Sequence, residues 1–152
     1  MTHKRPSRTG RVGRLAWILG LWPVTALGLG ALYQAVGSAN DAARYPPPGQ
    51  RFDVNGLHLH VWCSGPQPVA GPRVVLESGL GAPGLLWIRV QTALADAGIR
   101  VCSYDRPGYG WSDPAGEPWT PEQQADSLRT LLAAAGEAPP YVLVGHSLGG
   151  IL

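Results

Sequence analysis

The sequence predicts an α/β protein: a β-hairpin, then strand–helix–strand–helix–strand on a mostly parallel sheet, preceded by one apolar helix of membrane length. Three observations carry this prediction. Short apolar runs of strand character alternate with segments that are apolar at helical spacing. A nearly all-apolar stretch lies behind a basic cluster at the N-terminus. Each of the three buried strands opens into a glycine-bearing loop, at the carboxyl ends where such sheets place their chemistry.

A chain of 152 residues leaves room for one ordinary domain. With 45% hydrophobic and 14% charged residues, its composition is that of a folded protein rather than a disordered one. The net charge of +2 is unevenly spread. Lys4, Arg5, Arg8, Arg11 and Arg14 crowd residues 1–14 with no acid among them; the other seven basic residues face ten acids, leaving the body at −3. A mildly acidic body without a basic stripe offers no footprint for nucleic acid.

The first element is Leu15–Val36 (LAWILGLWPVTALGLGALYQAV), 22 residues without a charge. About 20 such residues cross the hydrocarbon core of a bilayer. A helix buried in a soluble domain is rarely apolar all round over such a length. A cleaved signal has a shorter core, of about 7–15 residues, although Gly37-Ser38-Ala39 would supply small residues for a cut. The expectation is a single-pass anchor, with residues 1–14 as a cytoplasmic tail and the body outside the cytoplasm. Secretion after cleavage is the alternative. Residues 37–50, with Pro46-Pro47-Pro48, read as an extended spacer, and residues 51–152 form the body.

Within the body, Leu57, Leu59, Val61 and Cys63 alternate with His58, His60 and Trp62, a strand with one buried face. Asn55-Gly56 before it is a hairpin turn, so Arg51–Val54 pairs antiparallel with that strand. Val74–Leu76 reads as a strand buried on both faces. Leu86, Val90, Leu94 and Ala97 then recur at helical spacing up to Gly98, a stop signal. Ile99–Tyr104 is the next strand. Thr120-Pro121-Glu122-Gln123 combines an N-cap, a first-turn proline and a capping-box glutamine. The helix it opens turns Ala125, Leu128, Leu132 and Ala135 inward and stops at Gly136, and Tyr141–Val144 is the last buried strand. Two cysteines, Cys63 and Cys102, are too few for a metal site or a disulfide framework. Buried thiols are the first reading, with a single disulfide open to an exported protein. No metal or cofactor is expected.

The last strand runs into Gly145-His146-Ser147-Leu148-Gly149-Gly150, a G-x-S-x-G pattern. Such a turn projects a serine hydroxyl into the open, and small neighbours are needed where the backbone crowds. Ser147 is the candidate nucleophile. Glu77-Ser78-Gly79-Leu80-Gly81 follows strand Val74–Leu76, and glycines let its amides bend toward a developing oxyanion. The two candidate donors are the backbone N–H groups of Leu80 and Leu148. The third loop, Asp105-Arg106-Pro107-Gly108-Tyr109-Gly110-Trp111-Ser112-Asp113, has no third glycine and no P-loop lysine, so it is not a phosphate cradle. It reads as a structural loop beside the serine, with Asp105 either holding Arg106 or capping local amides.

Glu77–Gly81, Asp105–Asp113 and Gly145–Gly150, in this order and spacing, resemble the N-terminal half of the α/β-hydrolase fold family, over residues 50–152. The resemblance implies an eight-stranded sheet, a helical cap and a Ser…Asp/Glu…His triad. Ser78-Gly79 stands where members often carry His-Gly. A serine nucleophile sets this chain apart from the aspartate-nucleophile branches, the epoxide hydrolases and haloalkane dehalogenases. The implied activity is a serine hydrolase, esterase- or lipase-like, acting on a small acyl substrate and held to the bilayer by the N-terminal helix. Peptidase, haloperoxidase-like and acyltransferase chemistries stay open, and a non-catalytic membrane-anchored binding protein on the same fold is the alternative.

In this family the acid and the histidine follow the nucleophile, and only Leu148–Leu152 follow Ser147. His3 precedes the apolar span, His58 and His60 share one face of an early strand and are expected at the surface or in a second layer, and His146 leaves the backbone away from Ser147. The expectation is therefore a fragment, inactive alone.

Overall fold

The computed structural model describes residues 8–67, 71–116 and 119–151, with the side chains of residues 8–20 outside that set. It divides into two units, Met1–Pro46 and Pro47–Leu152.

The first unit is a single helix, α1 (Arg8–Arg44), with Pro23 inside it. It runs beyond the predicted span into the segment read as a spacer, so residues 37–44 are helical rather than extended. Leu21, Trp22, Leu27, Leu29 and Tyr33 are all exposed, so the apolar side chains look outward in every direction instead of along one stripe. Thr25 Oγ1 donates to the Leu21 carbonyl one turn back. Among the described residues no helix is both long and apolar enough to cross a membrane. The side chains of residues 15–20, the first part of the predicted span, lie outside the described residues, as do residues 1–7 of the basic tail.

The second unit is a five-stranded mixed sheet in the order β1-β2-β4-β3-β5. β1 (Gln50–Val54) and β2 (Leu57–Ser64) form the predicted hairpin, with Asn55 at φ 56° and Gly56 at φ 86° making the turn. β2 is antiparallel to β4 (Val101–Tyr104), while β3 (Arg73–Glu77) lies parallel to both β4 and β5 (Tyr141–Gly145). Val101, Cys102, Ser103 and Tyr104 are buried on both faces of the sheet.

Helix α3 (Pro121–Ala134) begins as predicted. Thr120 accepts from the Gln123 N–H, and Gln123 reaches back to the Thr120 N–H. Of its predicted inner face, Leu132 is buried and Leu128 and Ala135 pack against the core, while Ala125 is exposed; Ser127 and Leu131 are buried as well. Leu131 and Leu132 pack on Val54, Leu59, Val61, Val75, Cys102 and Tyr104, the core of this unit. Helix α2 (Ile88–Asp96), after a 3-10 turn over Gly84–Trp87, departs further from expectation. Leu86 and Val90 are exposed, and the buried residue is Gln91, whose amide donates to the Trp62 carbonyl. A polar side chain is tolerated there because the backbone of β2 gives it a partner. Gly98 and Gly136, at φ 79° and 75°, end α2 and α3 as predicted.

One further expectation is corrected. Cys63 and Cys102 are register partners across β2 and β4, with Cα atoms 4.0 Å apart, and they form a disulfide rather than two buried thiols. Of the two places open to His60, surface or second layer, it takes the second: it is buried against Asp105, Nδ1 to Oδ2 at 2.9 Å. His58 is exposed as expected and pairs with Asp113.

Candidate active site

β5 delivers Ser147 into a turn that ordinary residues avoid. Its φ is 55°, and among the described residues only Asn55 shares a positive φ without being glycine. The glycines around it are required by contact. A Cβ on Gly145 would lie 2.2 Å from the Gly149 carbonyl oxygen, and one on Gly149 would lie 2.6 Å from the Glu77 oxygen. The turn is tied to the end of β3 by the His146 N–H, which donates to the Glu77 carbonyl at 3.1 Å, and is closed by the Gly149 N–H to the His146 carbonyl at 3.0 Å. A Cβ on Gly79 would meet His146 Nδ1 at 3.1 Å and Ser147 Cβ at 3.3 Å, so the loop after β3 passes directly over the serine.

Leu80 and Leu148 line one open cleft of about 420 Å³, together with Arg106, Tyr109, Trp119 and Gln124. The loop after β4 shapes this cleft from a core of polar contacts. Asp105, 1% exposed, accepts from the Gly84 N–H at 2.7 Å, the Trp111 N–H at 3.0 Å and His60. Burial alone would raise its pKa. The His60 hydrogen bond and the Trp111 and Gly84 amides outweigh burial and hold it below the usual carboxylate range. Of the two roles the sequence left open for Asp105, the structure shows amide capping. At the rim, Asp113 pairs with Arg51 and accepts from the His58 N–H.

Arg106 turns the other way. Its guanidinium donates to the Gly79 carbonyl and lies 3.6 Å from Glu77 Oε1. Glu77 is buried under the elbow and accepts from the Tyr104 hydroxyl. Burial pushes the Glu77 carboxyl up, against the Tyr104 hydrogen bond and the Arg106 charge, and burial next to Glu77 pushes the Tyr104 hydroxyl up as well. Sequence reasoning missed this trio. The available signal was an acid, Glu77, closing the apolar run Val74–Leu76 at the mouth of a glycine loop.

His60 is held by Asp105, His58 by Asp113, and among the described residues no histidine is hydrogen-bonded to Ser147. Cys63, Cys102 and Glu137 lie within 4.8 Å of one another by their ligand atoms, but they do not suit a cation. The sulfurs are bonded to each other, and Glu137 is held by Arg73 and Arg100.

Comparison with known proteins places this geometry. The sequence profile of the alpha/beta hydrolase fold matches residues 72–152, from β3 through the elbow. A protein of Hormonema carpetanum named "Probable transporter efuK" is 37% identical over 103 residues, 66% of this chain and 15% of that protein. Lipase LipV of Mycobacterium tuberculosis is 37% identical over 95 residues, 62% of this chain and 34% of its own length. Among solved structures, the enol-lactonase of Burkholderia xenovorans LB400 superposes with a TM-score of 0.60 at 31% identity, over 66% of this chain and 38% of the enzyme. The epoxide hydrolase VrEH1 of Vigna radiata gives 0.59 at 26% identity, over 67% and 32%. The chain thus spans well under half the length of each of these relatives. With the profile covering more than half of its residues, and the strand–turn geometry to match, the chain belongs to the α/β-hydrolase fold family.

Proposed function

We propose that the protein is a serine hydrolase of carboxylic esters or related acyl substrates, with Ser147 as nucleophile. The observation that carries this is the positive φ of Ser147 at the end of a parallel strand, directly under the Gly79 loop. Ser147 Oγ attacks the substrate carbonyl as a base takes its proton. The N–H groups of Leu80 and Leu148 receive the negative charge that moves onto the carbonyl oxygen. Collapse expels the alcohol, protonated by the same base, and water then releases the acid from the acyl-serine. A histidine oriented by a carboxylate is the base this chemistry calls for; neither group is assigned here. Support comes from the cleft that Leu80 and Leu148 share, and from a lipase and an enol-lactonase among the relatives, both named for acyl chemistry. The likeness to an epoxide hydrolase is weaker in its favour, because Ser147 stands where that branch carries an aspartate.

The test is turnover of p-nitrophenyl acetate and butyrate by the full-length protein and its Ser147→Ala variant. Turnover lost in the variant supports the proposal. A folded protein that binds acyl compounds without turning them over would favour the non-catalytic binding reading. We read Leu15–Val36 as a membrane anchor, on its charge-free sequence and the all-round exposure of Leu21, Trp22, Leu27 and Tyr33. Release of the protein from membranes by alkaline carbonate would contradict the anchor.

A further inference from the structure

We propose that Arg106 is a positioning residue that aims the Leu80 N–H at the oxyanion, an inference that rests on the acyl-hydrolase reading above. The Gly79 carbonyl and the Leu80 N–H belong to one planar trans peptide and point in opposite directions. Whatever holds that carbonyl therefore sets the direction of the N–H. Arg106 holds it from beneath: the guanidinium is buried, 6% exposed, and donates to the Gly79 oxygen. With the carbonyl held by the guanidinium, the N–H points away from Arg106, and Leu80, Leu148 and Arg106 all line the same cleft. The Ala82 N–H also reaches the Gly79 oxygen, at 3.3 Å, but it is a contact within the same turn, whereas Arg106 comes from the loop after β4.

Arg106 is itself fixed from two sides. Glu77 Oε1, which has no hydrogen-bond partner among the described residues, faces Nη1 at 3.6 Å. The Tyr109 ring lies 5.4 Å from the guanidinium carbon and stacks on its other side. Glu77 in turn is held by Tyr104 and packed under Gly149, so one buried carboxylate ties the ends of β3 and β4 to the elbow. An Arg is suited to this place because a planar guanidinium can donate to a carbonyl and a carboxylate at once without losing its charge.

The experiment compares Arg106→Gln and Arg106→Lys with the wild-type full-length protein, by crystal structure and by ester kinetics. Arg106→Gln is expected to let the Gly79–Leu80 peptide rotate and to lower kcat about 10- to 100-fold, below the loss seen on deleting an oxyanion donor outright, with KM within about twofold. Arg106→Lys, which keeps charge and a single donor, is expected to recover part of kcat and serves as the folded variant if the glutamine does not fold. A peptide plane unmoved in both variants would overturn the proposal, as would kcat unchanged in both. Absence of turnover by the wild type would sink the acyl-hydrolase reading instead, and the peptide orientation in the two variants would still decide the positioning claim.

Discussion

β4 and β5 flank β3 on opposite sides, both parallel to it, and their fates differ. Every residue of β4 is buried, from Val101 at 0% to Tyr104 at 4%, whereas β5 exposes Val142 at 45% and Leu143 at 63%. The candidate nucleophile, Ser147, follows the less buried strand. Backbone contacts at the end of β5 hold its turn: the His146 N–H on the Glu77 carbonyl, and Gly149 pressed against Glu77 and Ser78. Substitutions in the core and at the turn therefore test fold stability and turn geometry separately.

The largest effect on stability is expected on the buried side. Leu131→Ala removes a fully buried side chain from the core against β2 and β4, and should cost roughly 2–5 kcal/mol in urea unfolding. A comparable loss, roughly 3 kcal/mol, is expected from Asp105→Ala, which strands the Gly84 and Trp111 amides and His60. Acid should reproduce part of it. The carboxyls of Asp105 and Glu137 are held below their ordinary values of 3.8 and 4.5 in the fold, so their stabilisation is complete above those values and drains as the pH falls through the folded ones. Glu77, raised by burial, runs the opposite way and favours the fold most when protonated. Unfolding midpoints from pH 7 down to 3 should fall for the wild type and fall less for Asp105→Asn, whose starting stability is lower.

What was legible in the sequence follows the same division. Periodicity and capping signals act over a few residues, so the hairpin turn at Asn55-Gly56, the Thr120 capping box, the glycine stops and the elbow were all readable locally. What was missed depends on strand order. Pairing β2 with β4 joins Cys63 to Cys102 and sets His60 against Asp105, residues far apart in sequence. The same holds for Glu137, which clamps Arg73 and Arg100 at the starts of β3 and β4, and for Arg106 on Glu77. On α2 apolar spacing does not track burial, because a backbone acceptor on β2 holds Gln91 inward. Of the candidate site, the sharp turn at Ser147 and the glycine-bearing loops are legible locally; the buried contacts beneath them are not.

Two smaller effects sharpen the contrast. Gly149→Ala should destabilise by about 1–3 kcal/mol, since its Cβ would meet the backbone of Glu77 and Ser78, yet it should reduce Ser147 reactivity far more than Leu131→Ala does at equal folded fraction. Leu143→Thr, on the exposed part of β5, should shift stability by no more than about 0.5 kcal/mol and leave the elbow intact. A large loss there would mean that β5 is covered in the working protein.

An activated Ser147 would react with a fluorophosphonate, and peptide mass spectrometry of the treated full-length protein would map the adduct. A single stoichiometric adduct on Ser147, absent from Ser147→Ala, is expected. No adduct on a folded wild type, or an adduct on another residue that persists in the variant, would contradict it.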